Sequence, residues 1–333
     1  SAGSLPEWPP EGAGGVRAPT PDRGDDVHLF GSLGEALAAF AGQPRDGLIE
    51  IADSATYAPD HAADSWAADL RSRGSKRLTI RAASHQRPCL AGALDVTAAS
   101  ADAQLRLEGL LIGGAIRASG RLTLALRHCT VRAGASGGAR LVVEKSIVGP
   151  LRLGADAEQL TIHDSIVDGG GDHAVAAPSQ SGDHHDDMLH AGPPAVIARA
   201  TVLGAVAVAQ IEASNTIFAA AVRVAHDHLG SLRHCYVADG SRTPPRFACL
   251  AGPAVTTAVR DGIRPLFTSL RPGQAGYGQL APDCPPAFMR AASDGTEIGA
   301  FHGLGEDWRA EDLDELLAEQ LPFGLDPLTV WAT

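Results

Sequence analysis

An eight-residue pattern recurs along the middle of the chain and constrains the fold more than any other feature of the sequence. It reads aliphatic, any, aliphatic, two variable residues, a small residue, any, aliphatic. Copies of the pattern start at Leu105, Leu124, Leu141, Leu160, Val196, Ile211 and Gly230. The start-to-start spacings are 19, 17, 19, 36, 15 and 19 residues, so the value of 36 represents one period plus an insertion.

The residues of this pattern favour strands rather than helices. Aliphatic β-formers alternate with other residues inside each copy, and a second short apolar run, such as residues 205–208, lies between copies. A period of roughly 18 residues is too short for a repeat built from a pair of helices. We therefore predict two strands per turn of a parallel β-helix, in which each coil rises about 4.8 Å above the last.

The alternation slips by one residue in the middle of each copy, which indicates a corner or bulge there. Such a corner turns the first, third, sixth and eighth positions inward and the variable fourth and fifth positions outward. The predicted core residues include Leu126, Val143, Ile162, Ala213 and Leu232. The predicted outward pairs are Arg127-His128, Glu144-Lys145, His163-Asp164, Ser214-Asn215 and Arg233-His234.

The sixth position of the pattern carries small or weakly polar side chains. In a parallel coil, equivalent positions lie directly above one another, so these residues are expected to form an inward file whose hydroxyls bond to neighbouring backbone. The file consists of Leu110, Cys129, Ser146, Ser165, Thr201, Thr216 and Cys235. No G-x-S-x-G sequence surrounds either serine, which favours packing over catalysis for both.

The regions flanking the repeats are expected to cap the solenoid, because an uncapped β-helix exposes a sheet edge at each end. Residues 1–25 are rich in Pro and Gly and are interpreted as an arm or linker. Residues 26–77 form an N-terminal cap with the first strands, and Ser32-Leu-Gly-Glu35 within them is a capping box before an amphipathic helix. Residues 78–238 form the coils, with an insertion at 168–194, and residues 239–333 form an irregular C-terminal cap with one helix near 307–321.

Charge and composition exclude several classes of partner. The 27 basic and 39 acidic residues give a net charge of −12, which argues against nucleic acid or an anionic membrane surface as the main partner. No apolar run reaches membrane-spanning length and no signal peptide opens the sequence, so we expect a cytoplasmic or particle-associated protein. The five cysteines include no CxxC pair and are expected to be reduced, with a disulfide between Cys249 and Cys284 as the alternative.

Two resemblances add to this interpretation. The capping helix, the first strand at residues 47–51 and the Leu-x-Ile-x-x-Ser-x-Val coils resemble right-handed parallel β-helix proteins of the pectate-lyase-like superfamily. The C-terminal run, which includes Gly240-Ser-Arg-Thr-Pro-Pro-Arg-Phe247 and Gly276-Tyr-Gly-Gln-Leu280, resembles bacterial β-helix proteins encoded beside phage-tail-like contractile injection systems. The second resemblance implies a structural or accessory role near such particles and transfers no catalytic residues.

The insertion contains the densest group of metal-ligating residue types. Histidine and carboxylate at short spacing suit a divalent ion such as Zn²⁺, Ni²⁺ or Mn²⁺. The candidate ligands are Asp172, His173, Asp183, His184, His185, Asp187 and His190. The alternative is a solvated surface loop, because the spacing matches no defined metal motif.

A second candidate site is an extended strip for docking a protein partner. Its residues are Arg242, Pro244, Pro245, Arg246 and Phe247, in which two arginines flank the prolines. Extended segments of this kind dock by adding strands or filling grooves on a neighbour. The sequence thus favours a non-catalytic module that binds protein partners in an assembly, either as a monomer or as an oligomer, with no resident cofactor.

Two alternatives remain open at the level of the sequence. One is a carbohydrate-active β-helix enzyme, a polysaccharide lyase or hydrolase, which would need two carboxylates flanking the scissile bond. The outward positions instead mix Glu108, Glu144 and Asp164 with Arg127 and Arg199, which predicts ion-pair ladders. The other alternative is a metal-binding adhesin that uses the insertion.

Overall fold

The computed structural model describes residues 16–19, 27–42, 46–59, 65–71, 77–100, 102–178, 191–250 and 264–304, together with residues 316 and 321. These residues form an all-β parallel solenoid. The strands in chain order are β1 Val16–Pro19, β2 Val27–Phe30, β3 Gly47–Ile51, β4 Thr56–Tyr57, β5 Ser65–Leu70, β6 Arg77–Ala82, β7 Cys89–Leu90, β8 Ala93–Ala98, β9 Ala103–Glu108, β10 Leu111–Ile112, β11 Ile116–Ser119, β12 Leu122–Arg127, β13 Thr130–Val131, β14 Ala135–Gly137, β15 Arg140–Glu144, β16 Ile147–Val148, β17 Leu151–Arg152, β18 Gln159–Ala176, β19 Ala195–Val208, β20 Ile211–Ser214, β21 Ile217–Phe218, β22 Val222–Val224, β23 Gly230–Arg233, β24 Tyr236–Val237 and β25 Arg246–Phe247. The helices are α1 Leu33–Ala41 and α2 Pro286–Met289, and a 3₁₀ turn covers His302–Leu304.

Each coil contains three strands, not the two that the sequence predicted. In one coil, β12, β13 and β14 lie on three successive faces, and each pairs in parallel with the matching strand of the next coil. The longer strands β18 and β19 run through all three faces. The repeat motif therefore spans two faces, and the predicted corner in its middle separates them.

The corner has a left-handed backbone at the fifth position of the motif. The φ angles there are 51° at His128, 46° at Lys145, 49° at Asp164, 50° at Asn215 and 53° at His234. Non-glycine residues seldom adopt this conformation, which costs roughly 1–2 kcal/mol for an L-residue. Apolar burial offsets this cost at each coil, because the turn brings inward-facing residues of two sheets onto one core.

The copy assigned to Val196 begins one residue earlier in the structure. Ile197 pairs with Ile162, and Ala200 pairs with Ser165. Ala200 therefore occupies the inward file instead of Thr201, and Arg199 is the residue at the corner, with φ 50°. The run of small aliphatic residues from 195 to 198 fits either register by hydrophobicity alone, which explains the error.

The predicted core is confirmed. The side chains of Leu126, Val143, Ile162 and Leu232 are fully buried, and Ala213 is 3% exposed. Each is stacked on its counterpart in the neighbouring coil, as in the pair Val143 and Ile162. Because parallel coils place equivalent residues one above another, each coil buries the apolar surface that the previous coil leaves exposed.

The small residues of the sixth position form the predicted hydrogen-bonded file. The Ser146 hydroxyl accepts the Cys129 N–H at 3.0 Å and donates to the Glu144 carbonyl at 2.7 Å. One coil further on, the Ser165 hydroxyl accepts the Ser146 N–H at 3.1 Å. The corner leaves some backbone N–H and C=O groups without a partner in the strand ladders, and these hydroxyls supply their hydrogen bonds.

The N-terminal cap covers the first coil. Ser32 caps helix α1 by accepting the Glu35 N–H at 3.2 Å, which confirms the capping box, and Phe40 packs against Gly47 at the start of β3. Part of the predicted arm belongs to this cap, because β1 pairs antiparallel with β2 and β3. The rest of residues 1–25 lies outside the described residues.

The C-terminal region lies along the flank of the solenoid. We call residues 264–304 the strap. Phe288 and Ile298 of the strap pack on Ile217 and Tyr236 of the coils and form a second apolar core. The coils themselves continue past residue 238, since β25 pairs in parallel with β23. The helix predicted at 307–321 lies outside the described residues except for 316 and 321, and none of the described helices is long and apolar enough to cross a bilayer.

A buried charge tests the inward orientation of the motif. Val143→Asp places an unpaired carboxylate between two coils and should lower the free energy of unfolding by about 4 kcal/mol or more. Val142→Asp, one residue away on the outward face, should change it by less than about 1 kcal/mol. Urea denaturation measures both, and equal effects of the two variants would contradict the orientation.

The left-handed corner is tested at His128, whose side chain is exposed. His128→Gly should leave the protein equally stable or stabilise it by up to about 1 kcal/mol, because glycine adopts positive φ without steric cost. His128→Val should destabilise it by about 1–2 kcal/mol, since a β-branched residue fits that region poorly. A larger loss with glycine than with valine would rule out the corner conformation.

Candidate functional site

Two clefts flank the strap where it lies against the coils. The first has a volume of about 550 Å³. Lys145, Asp164 and Arg199, which occupy the corner position of three successive coils, line one side of it, while Phe301 and Leu304 at the end of the strap line the other. The cleft thus has a charged wall and an apolar wall.

An ion pair dominates the charged wall of the first cleft. The Arg199 Nε and Nη2 atoms donate to the two carboxylate oxygens of Asp164 at 2.5 and 3.1 Å. Burial raises the pKa of Asp164, but the hydrogen bond and positive charge of Arg199 outweigh it and hold the pKa below its ordinary value. Asp164 therefore stays ionised at neutral pH and is unsuited to donate a proton.

Ion pairs of the same kind follow the outward faces of the coils, as the mixed charge pattern predicted. Arg127 contacts Glu144 at 2.5 Å, and Arg106 contacts Glu108 at 2.5 Å. Further pairs between acids and arginines are Glu50 with Arg81, Asp95 with Arg117, and Glu158 with Arg140. Each is partly exposed to solvent and contributes about 1 kcal/mol at most.

The second cleft has a volume of about 680 Å³ and lies on the other side of the strap. Asp168 and Asp172 line it together with Phe267 of the strap. Asp168 accepts a short hydrogen bond from the Tyr277 hydroxyl and another from the Gly170 N–H at 2.8 Å. Burial, followed by this hydrogen bond, raises the pKa of Tyr277 far above its ordinary value, so the phenol remains protonated.

Of the predicted metal ligands, Asp172 lines this cleft and His173 contacts Asp172. Asp172 contacts His173 Nδ1 at 3.0 Å, and the hydrogen bond to that ring lowers the pKa of Asp172. The His173 carbonyl accepts from Arg152 at 2.9 Å. The remaining candidates, which are Asp183, His184, His185, Asp187 and His190, lie outside the described residues. Within the described ranges, no three His, Cys, Asp or Glu side chains converge on a point that could hold a metal ion.

The predicted docking strip forms the last rung of the solenoid within the described part of the chain. Arg246 and Phe247 are strand β25, and the Pro245 carbonyl accepts the Leu232 N–H at 3.0 Å. Pro244 is buried, whereas Phe247 is 54% exposed and lies 5.8 Å from the Arg233 guanidinium. The Arg242 side chain is held on the coil by Asp227 at 2.8 Å.

The contacts that attach the strap were not visible in the sequence. The Asn215 side chain accepts the Ser293 N–H at 3.0 Å and donates to the Ser293 hydroxyl at 3.1 Å. The Thr201 hydroxyl accepts the Ala300 N–H at 3.0 Å. One feature of the sequence did indicate a covering segment. The seventh position of the later copies is aliphatic, as at Ile217, and this buried residue would face solvent if the strap were absent.

The fold and these sites define a three-sided parallel β-helix with a C-terminal strap and two lateral clefts. A comparison of the chain with protein-family models finds no matching family, and a comparison with curated proteins finds no relative. The assignment to a parallel β-helix therefore rests on the shape of the fold and not on a named family.

The ion pair in the first cleft predicts a pH-dependent contribution to stability. Because folding lowers the pKa of Asp164, the pair stabilises the fold above the unfolded pKa of about 3.9 and loses this effect as the pH falls through the lower folded value. Arg199→Met should cost about 1 kcal/mol at pH 7 and less at pH 2.5. Urea denaturation at the two pH values measures this, with Asp164→Asn as the second arm of a double-mutant cycle. A cost independent of pH would contradict the pairing.

Proposed function

We propose that this chain is a non-catalytic β-helix module that binds a protein partner in a larger assembly. The observation that carries the proposal concerns the first cleft, where Asp164 is the one carboxylate among the described lining residues and forms an ion pair with Arg199. Glycoside hydrolysis requires two carboxylates, one of them protonated near neutral pH. With one ionised and paired carboxylate among its described lining residues, the first cleft does not offer that pair of groups.

The outward faces support the same proposal. Several of their carboxylates lie within hydrogen-bond distance of arginines, as in Glu144 with Arg127 and Glu108 with Arg106, which withdraws them from acid-base chemistry. Polysaccharide-binding grooves commonly offer aromatic faces, whereas of the four tryptophans only Trp66 lies in the described residues, and it is 5% exposed. The described outward faces therefore present ion pairs to a long glycan, and no exposed tryptophan on which a sugar ring could stack.

The last rung is the surface that fits a protein partner. Within the part of the chain that the structure describes, β23 is the one strand that pairs with β25, so this face of the solenoid ends there at an extended segment of the kind that docks on a partner. Phe247 supplies an exposed apolar anchor, and the positively charged Arg233 guanidinium lies 5.8 Å from its ring. This surface suits an extended segment that carries acidic and apolar side chains. The resemblance of the C-terminal motifs suggests a phage-tail-like contractile particle as the assembly.

A carbohydrate-active enzyme is the second candidate, and the second cleft favours it. Asp168 and Asp172 both line this cleft, and Phe267 of the strap offers an aromatic side chain beside them. The lowered pKa of Asp172 suits a base or nucleophile, and the raised pKa of Tyr277 keeps a hydrogen-bond donor at Asp168. If the second cleft is an active site, substitution of Asp168 or Asp172 should abolish turnover.

The proposal is tested by comparing assembly and turnover with matched variants. The tagged full chain, expressed in its source organism in place of the native copy, should co-sediment with its particle. Phe247→Asp should reduce the sedimented fraction at least tenfold, because a charge replaces the apolar anchor. Leu29→Asp, at an exposed apolar residue of the opposite end, serves as the control and should leave the fraction unchanged.

Purified protein should release neither reducing ends nor unsaturated products from pectin, alginate or a neutral glucan. Release that disappears in Asp168→Asn or Asp172→Asn would establish the enzyme and overturn the proposal. Equal sedimentation of wild type, Phe247→Asp and Leu29→Asp would exclude the last rung as the docking surface.

A further inference from the structure

Two of the five cysteines lie next to each other at the end of the inward file. β23 and β25 pair in parallel with Arg233 opposite Phe247, and the bridge between Tyr236 and Leu250 continues the same register. Cys235 and Cys249 are therefore opposite each other, both at the sixth position of their coils. Their side chains interact with one another, and each thiol also donates to the carbonyl two residues before it, at 3.1 Å for Cys235 and 3.4 Å for Cys249.

The spacing of the two cysteines is compatible with a covalent bond. Neighbouring strands lie about 4.8 Å apart, which falls within the Cα separation of about 4.4–6.8 Å that disulfides accept. Both side chains point to the same side of the sheet, because both belong to the inward file. In the structure all five cysteines are free thiols, so the pair is present in its reduced form.

The two thiols differ in exposure, which assigns them different roles. Cys235 is fully buried, and burial raises its pKa. Cys249 is partly exposed, and the neighbouring Cys235 side chain lowers the pKa of Cys249, with the positive charge of Arg246 adding to the effect. The thiolate is the reactive form of cysteine, so Cys249 is the sulfur that reacts first.

The other three cysteines have no such neighbour in the register of the sheets. Cys89 lies between Thr56 and Leu111, and Cys129 is followed in its file by Ser146. Cys284 belongs to the strap, where its sulfur accepts the Leu266 N–H at 3.4 Å. The expected alternative disulfide between Cys249 and Cys284 is not formed.

We propose that Cys235 and Cys249 form a redox-modification site that reacts with hydroperoxides and links the last rung covalently to the coil before it. The Cys249 thiolate attacks one peroxide oxygen, so that an S–O bond forms, the O–O bond breaks, and the departing hydroxide takes a proton to become water. The Cys235 sulfur then attacks Cys249, an S–S bond forms, the S–O bond breaks, and a second water leaves with the Cys235 proton. The two thiols lose two electrons, and hydrogen peroxide is reduced to two waters.

The consequence is a switch in the stability of the terminal rung. A disulfide between residues 235 and 249 closes a short loop that contains β25 and restricts its unfolded ensemble. Oxidation should therefore raise the melting temperature of the full chain by a few degrees. It also holds Phe247 in place, two residues before Cys249.

The site is tested on the purified, reduced full chain with hydrogen peroxide. The mass should fall by about 2 Da, and the titratable thiols under denaturing conditions should fall from five to three. Trypsin cuts after Arg233, Arg242, Arg246 and Arg260, so a non-reducing digest should contain residues 234–242 linked to residues 247–260. A reductant should separate the two peptides.

Cys249→Ser should keep its four thiols under the same treatment, and Cys284→Ser, the matched control, should lose two of its four as the wild type does. Cys249→Ala replaces the serine variant if the latter fails to fold, and the wild-type digest is decisive in either case. Retention of all five thiols, a stable sulfinic acid on Cys249, or a link through another cysteine would overturn the proposal. This test uses the purified chain without its particle, so a negative result does not bear on the docking proposal.

Discussion

The left-handed corner at the fifth position of the repeat is the constraint on which the rest of this structure depends. It turns the chain between two sheets, and the side chain that follows it restores the hydrogen bonds that the turn removes from the ladders. Ser146 and Ser165 perform this function with hydroxyls, and Cys129 and Cys235 perform it with thiols. The same residues fill the narrow space inside the corner, which explains why the sixth position carries small side chains.

The corner also decides what the surface can do. Its residues project outward one above another, so the chemistry of the flank is set by a single position of the motif. Asn215 at this position binds the strap, whereas Lys145, Asp164 and Arg199 line an open cleft. The strap thus divides one file of corner residues into an attachment site and a binding surface.

The repeat allowed the solenoid, its core and its hydrogen-bonded file to be predicted, because a period of two residues within strands is a strong signal. It did not predict three faces per coil, because the strand that follows the corner is only two residues long, as at Ile147–Val148, and is too short to be recognised as a separate strand. The register at 195–202 was wrong by one, because Ala195 and Val196 are both apolar. The strap has no periodicity, and its partners Thr201 and Asn215 resemble ordinary surface residues until the chain is folded. Of the candidate metal ligands, only Asp172 and His173 fall in the described residues, and they contact each other.

The strap has a consequence for the order of folding. Its contacts with Asp168, Thr201, Asn215 and His234 come from several successive coils, and the bond between Tyr277 and Asp168 joins residues that are 109 positions apart in the chain. Such a surface exists only after the coils have stacked in register, and contacts of long sequence separation form slowly. The strap is therefore the last element that can dock, and a solenoid with one coil out of register would offer it no matching partners.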